Sequence, residues 1–380
     1  MKFLFDFRSR NKNSYDVQLA VLVILLGIFG SIMVFSAGYA YAYARYDDGA
    51  YFIKRQIIWF FLGLIFMYIC SKIDLEFLKR ASVPIYAITL ILLVLVLVIG
   101  FVGNGAKRWI SIGPLTIQPS EIAKIAIILI LSLYFCKKEN DALFSKSKKD
   151  IFLSGTAYPL LLIGVPILLV MLQKHLSCII ILGLIGLGMI VVSGVNTRYL
   201  RFFCLLGVLG VFALAIFTDY TKMRILVWQD PESYKLTGGW QTLQGLMAIG
   251  SGGIFGVGLF SSVMKHCYVS EPANDMIFAI LCEETGLFGA VITLLLFALL
   301  VYRGFSIATR TDDRYSRMVA FGISLKLAIQ VLLNVAVVTN TIPNTGISLP
   351  FFSYGGSSLL MLFCEMGILL AISKNAKIEK

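Results

Sequence analysis

Charge is scarce in this 380-residue chain: Asp, Glu, Lys and Arg make up 14% of it, against 58% hydrophobic residues and a mean hydropathy of +0.86. Soluble domains carry about 25% charged residues, so the composition excludes an ordinary soluble protein. Histidine is scarcer still. With only His175 and His266 present, a His-based metal centre is disfavoured. Seven cysteines, at positions 70, 136, 178, 204, 267, 282 and 364, mostly lie in or beside apolar runs. No paired spacing suggests a disulfide framework or a zinc site. The glycine-rich stretch Gly250-Ser251-Gly252-Gly253-Ile254-Phe255-Gly256-Val257-Gly258 is not followed by Gly-Lys-Ser/Thr, which disfavours a phosphate-binding P-loop. Tandem repeats and low-complexity tails are also missing, and the chain reads as a single membrane domain over 1–380.

What is present is a series of apolar runs, each long enough to cross a hydrocarbon core about 30 Å thick. The fold class is all-α, a polytopic membrane protein of about ten transmembrane helices. The expected spans are 17–37, 56–71, 82–103, 118–136, 153–171, 178–195, 201–218, 276–302, 317–339 and 354–373. Ala40-Tyr41-Ala42 resembles a signal cleavage site, but the preceding run is too long for a signal peptide and reads as a retained first span. The net charge of +12 is unevenly placed. About 21 of the 33 Lys and Arg fall in the two termini and alternate short loops, about ten in the other loops and two within spans. This positive-inside pattern places both termini in the cytoplasm, and it attributes the basicity to topology rather than to nucleic acid. One connection stands out. Residues 219–275, between the seventh and eighth spans, form a large outward-facing loop, too apolar at Trp228, Trp240, Leu243, Leu246 and Met247 for simple disorder.

Five segments carry the residues suited to chemistry. Lys107 and Arg108 sit in a short outer loop, against the charge bias of the topology. Glu121 and Lys124 follow, three apart and so on one helix face, either as a structural ion pair or as part of a cationic pocket for phosphate near the outer surface. Arg224 suits bidentate phosphate recognition, and equally suits pairing with Asp219 or Asp230 to fold its loop. Gln241 lies in the segment Gly239-Trp240-Gln241-Thr242. Asp275 ends the large loop where a polar stretch turns into an apolar helix, and it reads both as a helix cap and as an exposed reactive carboxylate. Glu283, about two turns deeper, reads as a buried partner for Lys124 or Lys326. Ser353 belongs to the Pro- and Gly-punctuated outer loop 340–358.

Taken together, Tyr51-Phe52, Lys54-Arg55-Gln56, Lys107-Arg108-Trp109-Ile110, Gln118-Pro119-Ser120-Glu121 and Ser353-Tyr354-Gly355-Gly356-Ser357-Ser358 resemble the SEDS family (shape, elongation, division and sporulation) in order and spacing over nearly the whole chain. Gly105-Ala106-Lys107-Arg108-Trp109 leans towards the division type. The resemblance implies polymerisation of peptidoglycan glycan strands from lipid II, the undecaprenyl-pyrophosphate-linked disaccharide-peptide, at the outer face of the bacterial cell membrane. It also implies a class B penicillin-binding protein as transpeptidase partner. Asp275 falls on the family's essential aspartate, and Arg108, Glu121, Lys124 and Arg224 on polar positions of its central cavity. Two positions depart from the pattern. Lys174, in Gln173-Lys174-His175-Leu176-Ser177-Cys178, and Ser270, in Val269-Ser270-Glu271, each replace a usual proline.

The implied chemistry joins a sugar 4-hydroxyl to an anomeric carbon whose leaving group is a lipid-linked pyrophosphate, by a single inverting displacement. Asp275 is expected to be the base. Arg108, Lys124, Lys107, Arg224 and Lys265 are expected to stabilise the departing charge, with Gln241, Glu121 and Ser353 completing the substrate-binding set. No cofactor or dedicated metal site is expected, although a divalent cation is compatible with a pyrophosphate leaving group. Two other classes stay open at this stage: a transporter that flips the lipid-linked precursor, with Glu121, Lys124, Lys326 and Glu283 as a charged path, and a non-catalytic scaffold.

Overall fold

A computed structural model describes residues 15–103, 106–112, 115–137, 152–194, 199–200, 219–236 and 238–376. Eleven helices run through these residues: α1 (Val17–Tyr46), α2 (Tyr51–Ser71), α3 (Leu75–Ile99), α4 (Pro119–Lys137), α5 (Leu153–Leu172), α6 (Leu176–Val192), α7 (Asp219–Gln229), α8 (Gly239–Ser251), α9 (Ile277–Arg310), α10 (Arg314–Val338) and α11 (Gly356–Lys374). Eight of them, α1 to α5 and α9 to α11, are long and apolar enough to cross a membrane, and α6 is apolar but only 17 residues long. The expected span 201–218 and the basic loop residues Lys138, Lys146, Lys148 and Lys149 lie outside the described residues.

The helices start and stop where local chemistry directs. Asp16, Asp74 and Asp313 cap α1, α3 and α10 through side-chain oxygens that accept backbone N–H bonds, from Leu19 (3.1 Å), Glu76 (3.2 Å) and Ser316 (2.9 Å). Asp16 does more than cap. It also receives Arg303 Nη2 at 2.6 Å, while its own N–H donates to Ser373 Oγ at 3.0 Å, so one buried residue ties the start of α1 to the later turns of α9 and the last turn of α11. Pro166 lies inside α5 and has no N–H to offer the carbonyl of Leu162 four residues back. The hydroxyl of Tyr86 on α3 takes that place at 2.8 Å, so the proline becomes a contact between helices.

The most buried span is α4, which packs against α3, α6 and α10 at the centre of the bundle. Around it α2 lies along α11 at short range. A side chain at Gly367 would collide with the Met67 carbonyl, the close backbone approach for which small residues serve in membrane bundles. The ends of the helices alternate, so the molecule has two faces. One carries Lys72, Lys79, Arg80, Lys137, Arg310, Arg314, Arg317 and Lys374 and is called the basic end. The opposite face gathers α7, α8 and the loops 252–276 and 339–355.

One element departs from an all-α reading. After Gly100 ends α3, the chain forms an antiparallel three-stranded meander, β1 (Phe101–Gly103), β2 (Ala106–Ile112) and β3 (Leu115–Ile117). Phe101 pairs with Trp109, their rings stacked 5.9 Å apart, and Ile110 pairs with Ile117. Phe101, which made 101–103 look like the end of a span, is here a strand residue whose ring lies on Trp109 of the neighbouring strand.

Candidate active site

Asp275 lies two residues before α9, at the face opposite the basic end. It does not cap that helix. The N-cap position is Met276, and α9 receives no side-chain cap bond. The carboxylate turns instead to α8, where Gln241 Nε2 donates to Oδ1 and Oδ2, each at 3.3 Å. The backbone around it is held from three directions. Asn334 of α10 donates through Nδ2 to the carbonyls of Asp275 (3.0 Å) and Ile347 (2.7 Å). Ser353 Oγ donates to the Asn274 carbonyl at 2.7 Å and accepts from the Leu349 N–H at 2.7 Å. The Tyr354 N–H donates to the Ala273 carbonyl at 2.8 Å. Gly346, at φ +70°, lies beside the carboxylate, where a β-carbon would make an ordinary contact of 3.6 Å with Asp275 Oδ2. Glycine serves here because it tolerates the left-handed backbone.

Burial pushes the Asp275 carboxyl up to about 6, and the nearby Glu271 carboxylate adds to the rise. The Gln241 bond and the Arg224 guanidinium pull in the other direction. A carboxylate in that range is ionised at neutral pH yet basic enough to accept a proton from a hydroxyl during attack.

Arg224 comes from α7, where Nη1 donates to the Asn344 carbonyl and Trp228 Nε1 donates to the Asn340 carbonyl at 2.9 Å. These bonds seat α7 on the 339–355 loop and bring a guanidinium to the Asp275 neighbourhood. Arg108 arrives on β2, with its neighbour Lys107 exposed beside it. Its Nη2 donates to the Lys174 carbonyl at 2.6 Å. Lys174 stands at φ +53° just past α5, with its N–H bonded to the Met171 carbonyl (3.0 Å) and the His175 N–H to the Val170 carbonyl (3.4 Å). This is a Schellman cap with lysine in the position glycine usually takes. Proline, locked near φ −65°, does not adopt that conformation, so the Lys174 departure gives this turn a shape of its own. The turn continues to Ser177, whose hydroxyl donates to the Thr345 carbonyl next to Gly346, and it thereby links the Arg108 side of the site to the Asp275 side. His175 lies 3.5 Å from Ser120 Oγ. Burial and then the Arg108 charge depress it to about 3, so its imidazole is neutral at physiological pH.

Two expected cations are committed elsewhere. Lys124, 2% exposed, pairs with Glu121 at 2.7 Å, and Lys265, 4% exposed, pairs with Glu284 at 2.9 Å. The reading of Glu283 as a partner for Lys124 or Lys326 is corrected by the structure. Lys326 is held by both oxygens of Glu365, at 2.7 and 2.6 Å, and Glu283 accepts from the Val263 N–H (2.9 Å), the Met264 N–H (3.3 Å) and the Ser262 hydroxyl. The first turns of α9 face the 252–276 loop, which turns Glu283 away from α4 and α10. Beside Glu121 and Lys326 lies a cavity of about 20 Å³, also lined by Gln330, Ser348, Ser353 and Ser358. It has room for about one water molecule.

The structure thus brings Asp275, Gln241 and Arg224 together and joins Arg108 to them through the 173–177 turn. Ser353 acts on the backbone of Asn274, and Asn334 and Gly346 are site residues that sequence reasoning did not single out. A family model described as Cell cycle protein, covering FtsW, RodA and SpoVE, matches residues 16–378. The chain belongs to this family. Among FtsW/RodA/SpoVE members, stage V sporulation protein E of Bacillus subtilis (strain 168) is 38% identical over 368 residues, covering 96% of this chain and 99% of that protein. A protein of Geobacter sp. (strain M18) named probable peptidoglycan glycosyltransferase FtsW is 34% identical, covering 96% and 98%. Two solved structures share the architecture at 26% identity. The rod shape determining protein RodA of Thermus thermophilus superposes with a TM-score of 0.70, covering 96% of this chain and 98% of that one. A chain of a peptidoglycan synthase complex, solved in work on the coordination of polymerization and crosslinking, superposes with a TM-score of 0.78, covering 94% and 97%.

Proposed function

We propose that this chain is a peptidoglycan glycosyltransferase that polymerises lipid II, with Asp275 as the base. The observation that carries the reading is Asp275 itself: a carboxylate raised to about 6 and held by Gln241, beside the Arg224 guanidinium, with Asn334 and Ser353 fixing the backbone carbonyls of Asp275 and Asn274. The relatives named for this activity support the glycosyltransferase reading. The asymmetry of Lys and Arg supports an outward-facing site, because the basic end takes the cytoplasmic side. On that side of the membrane the substrate is lipid II, and a class B penicillin-binding protein is the transpeptidase that crosslinks the product.

In the reaction Asp275 accepts the proton of the acceptor sugar's 4-hydroxyl as its oxygen attacks the donor's anomeric carbon. The bond from that carbon to the pyrophosphate oxygen breaks, and the pyrophosphate departs with the electron pair on its undecaprenyl carrier. Inversion at the anomeric carbon follows from a single displacement. Arg224 and Arg108, with Lys107 at the rim, stabilise the departing charge, and a guanidinium suits a diphosphate because its planar fork binds two oxygens at once. Lys124 acts on that charge only through the electrostatics of its pair with Glu121.

Purified protein in detergent, given labelled lipid II, is expected to produce glycan polymer. In detergent there is no second leaflet to cross and no other enzyme present. A flippase or a scaffold therefore yields no polymer, and that result would sink the assignment.

A further inference from the structure

The stretch that leads to Asp275 is strained and buried charge surrounds it. Phe260, Cys267 and Glu271 all stand at positive φ, at +65°, +65° and +53°. Non-glycine residues hold such conformations only where the surrounding structure over-determines them. Two things do so here. The first is a break in α9 at Gly286, at φ +66° and ψ −170°. The Val257 and Gly258 N–H groups donate to the Glu283 and Glu284 carbonyls at 2.9 and 3.0 Å. In return the Leu287 and Phe288 N–H groups donate to the Gly253 and Ile254 carbonyls at 2.9 and 3.0 Å. The 253–258 segment is thus stitched into the helix, restoring the backbone bonds that the break removes.

The second is a set of buried side chains that the reaction does not use. Lys265 Nζ donates to Glu284 Oε1 (2.9 Å) and Ser36 Oγ (3.1 Å), and Ser36 Oγ donates to Glu284 Oε1 at 2.5 Å. Glu283 gathers the Ser262 hydroxyl and the Val263 and Met264 N–H groups. All five of Ser36, Ser262, Lys265, Glu283 and Glu284 are buried. They fasten residues 262–265 both to α1, through Ser36, and to the first turns of α9, whose tip carries Asp275.

We propose that Glu284, Lys265 and Ser36, with Glu283 and Ser262, are positioning residues that hold the strained 259–275 approach so that Asp275 faces Gln241 and Arg224. This inference rests on the polymerase reading for its consequence in rate, and on geometry alone for its consequence in structure. Lys265 then acts through Glu284 and not on the leaving group. Its loss is expected to be felt as a displaced Asp275, and a displacement of about 1 Å near the chemistry costs on the order of a hundredfold.

The test uses full-length protein in detergent with two readouts. In a Cys267→Ser background, which removes the thiol that is exposed among the described residues, an Asp275→Cys reporter is labelled with a maleimide and followed at its own peptide by mass spectrometry. Glu284→Gln is expected to change the labelling rate at residue 275 by about fivefold or more, as local opening or displacement does. With Asp275 intact, Glu284→Gln is expected to lower kcat on lipid II by about ten- to a hundredfold with little change in KM. Because one partner left alone is an uncompensated buried charge, the Lys265→Met/Glu284→Gln double variant keeps the test decisive if a single variant fails to fold. It is expected to unfold near the wild-type temperature and still show both effects. Wild-type labelling in a folded Glu284→Gln protein or in the double variant would overturn the proposal. Should the wild type itself make no polymer, the polymerase reading fails and the labelling readout alone decides the positioning role.

Discussion

Asp275→Asn is expected to abolish polymer formation from lipid II and, in the same protein, to raise thermal stability at neutral pH. The two effects have one cause. The folded protein lifts this carboxyl from 3.8 to about 6, chiefly by burial. The folded state therefore binds the proton more tightly than the unfolded chain, and stability falls as pH rises through the window between those values. Above it, the ionised carboxylate is a net burden, on the order of 1–2 kcal/mol once its partial exposure is allowed for. Asparagine removes the charge and keeps an oxygen for Gln241. It also removes the base, whose contribution to rate is about 10²–10⁴-fold. Circular dichroism melts and polymer assays on one preparation measure both. A variant that is both active and no more stable would contradict the account.

Arg224→Met is expected to have the second largest effect, a loss of about 10²–10³-fold in kcat, as for the removal of one preorganised charge stabiliser. It should also raise the pH at which activity appears, because Arg224 is one of the groups that holds the Asp275 carboxyl down. Arg108→Met should lower the rate without moving that pH, since Arg108 reaches the site from β2 through the Lys174 turn. Lysine at either position keeps the charge but loses the planar fork, so it is expected to restore only part of the rate. Polymer assays across pH separate the two arginines, and identical pH behaviour of the two Met variants would show that they act alike.

Much of the membrane architecture was legible because an apolar run of about twenty residues has few other uses. Asp275 was legible for a similar reason: a carboxylate at the join of a polar loop and an apolar helix stands out in a chain with so little charge. What stayed hidden depended on partners distant in sequence. Lys265 looked like a cation for the leaving group, because nothing in its own segment shows Glu284 or Ser36 closing around it. Glu283 was assigned to the wrong neighbours because its partners, Ser262, Val263 and Met264, lie on a loop about twenty residues back whose folding onto the first turns of α9 its own segment does not announce. The Lys174 turn was hidden because its left-handed position is usually marked by glycine. The meander at 101–117 was hidden because short strands of Trp, Ile and Phe look like the end of a span. Asn334 had a signal that went unused: an amide inside an apolar helix must find partners, and this one holds the Asp275 backbone.

The most direct measurement is the pH dependence of kcat for lipid II polymerisation by the wild type and by Glu271→Gln. Glutamine at 271 keeps an oxygen for the Asn274 side-chain bond, now 2.5 Å, and removes the charge that helps lift Asp275. An acid limb centred at about pH 6 in the wild type, displaced to lower pH in Glu271→Gln, is the predicted result. A limb at an ordinary carboxylate value near 3.8, or one that the substitution leaves unmoved, would contradict Asp275 as the base.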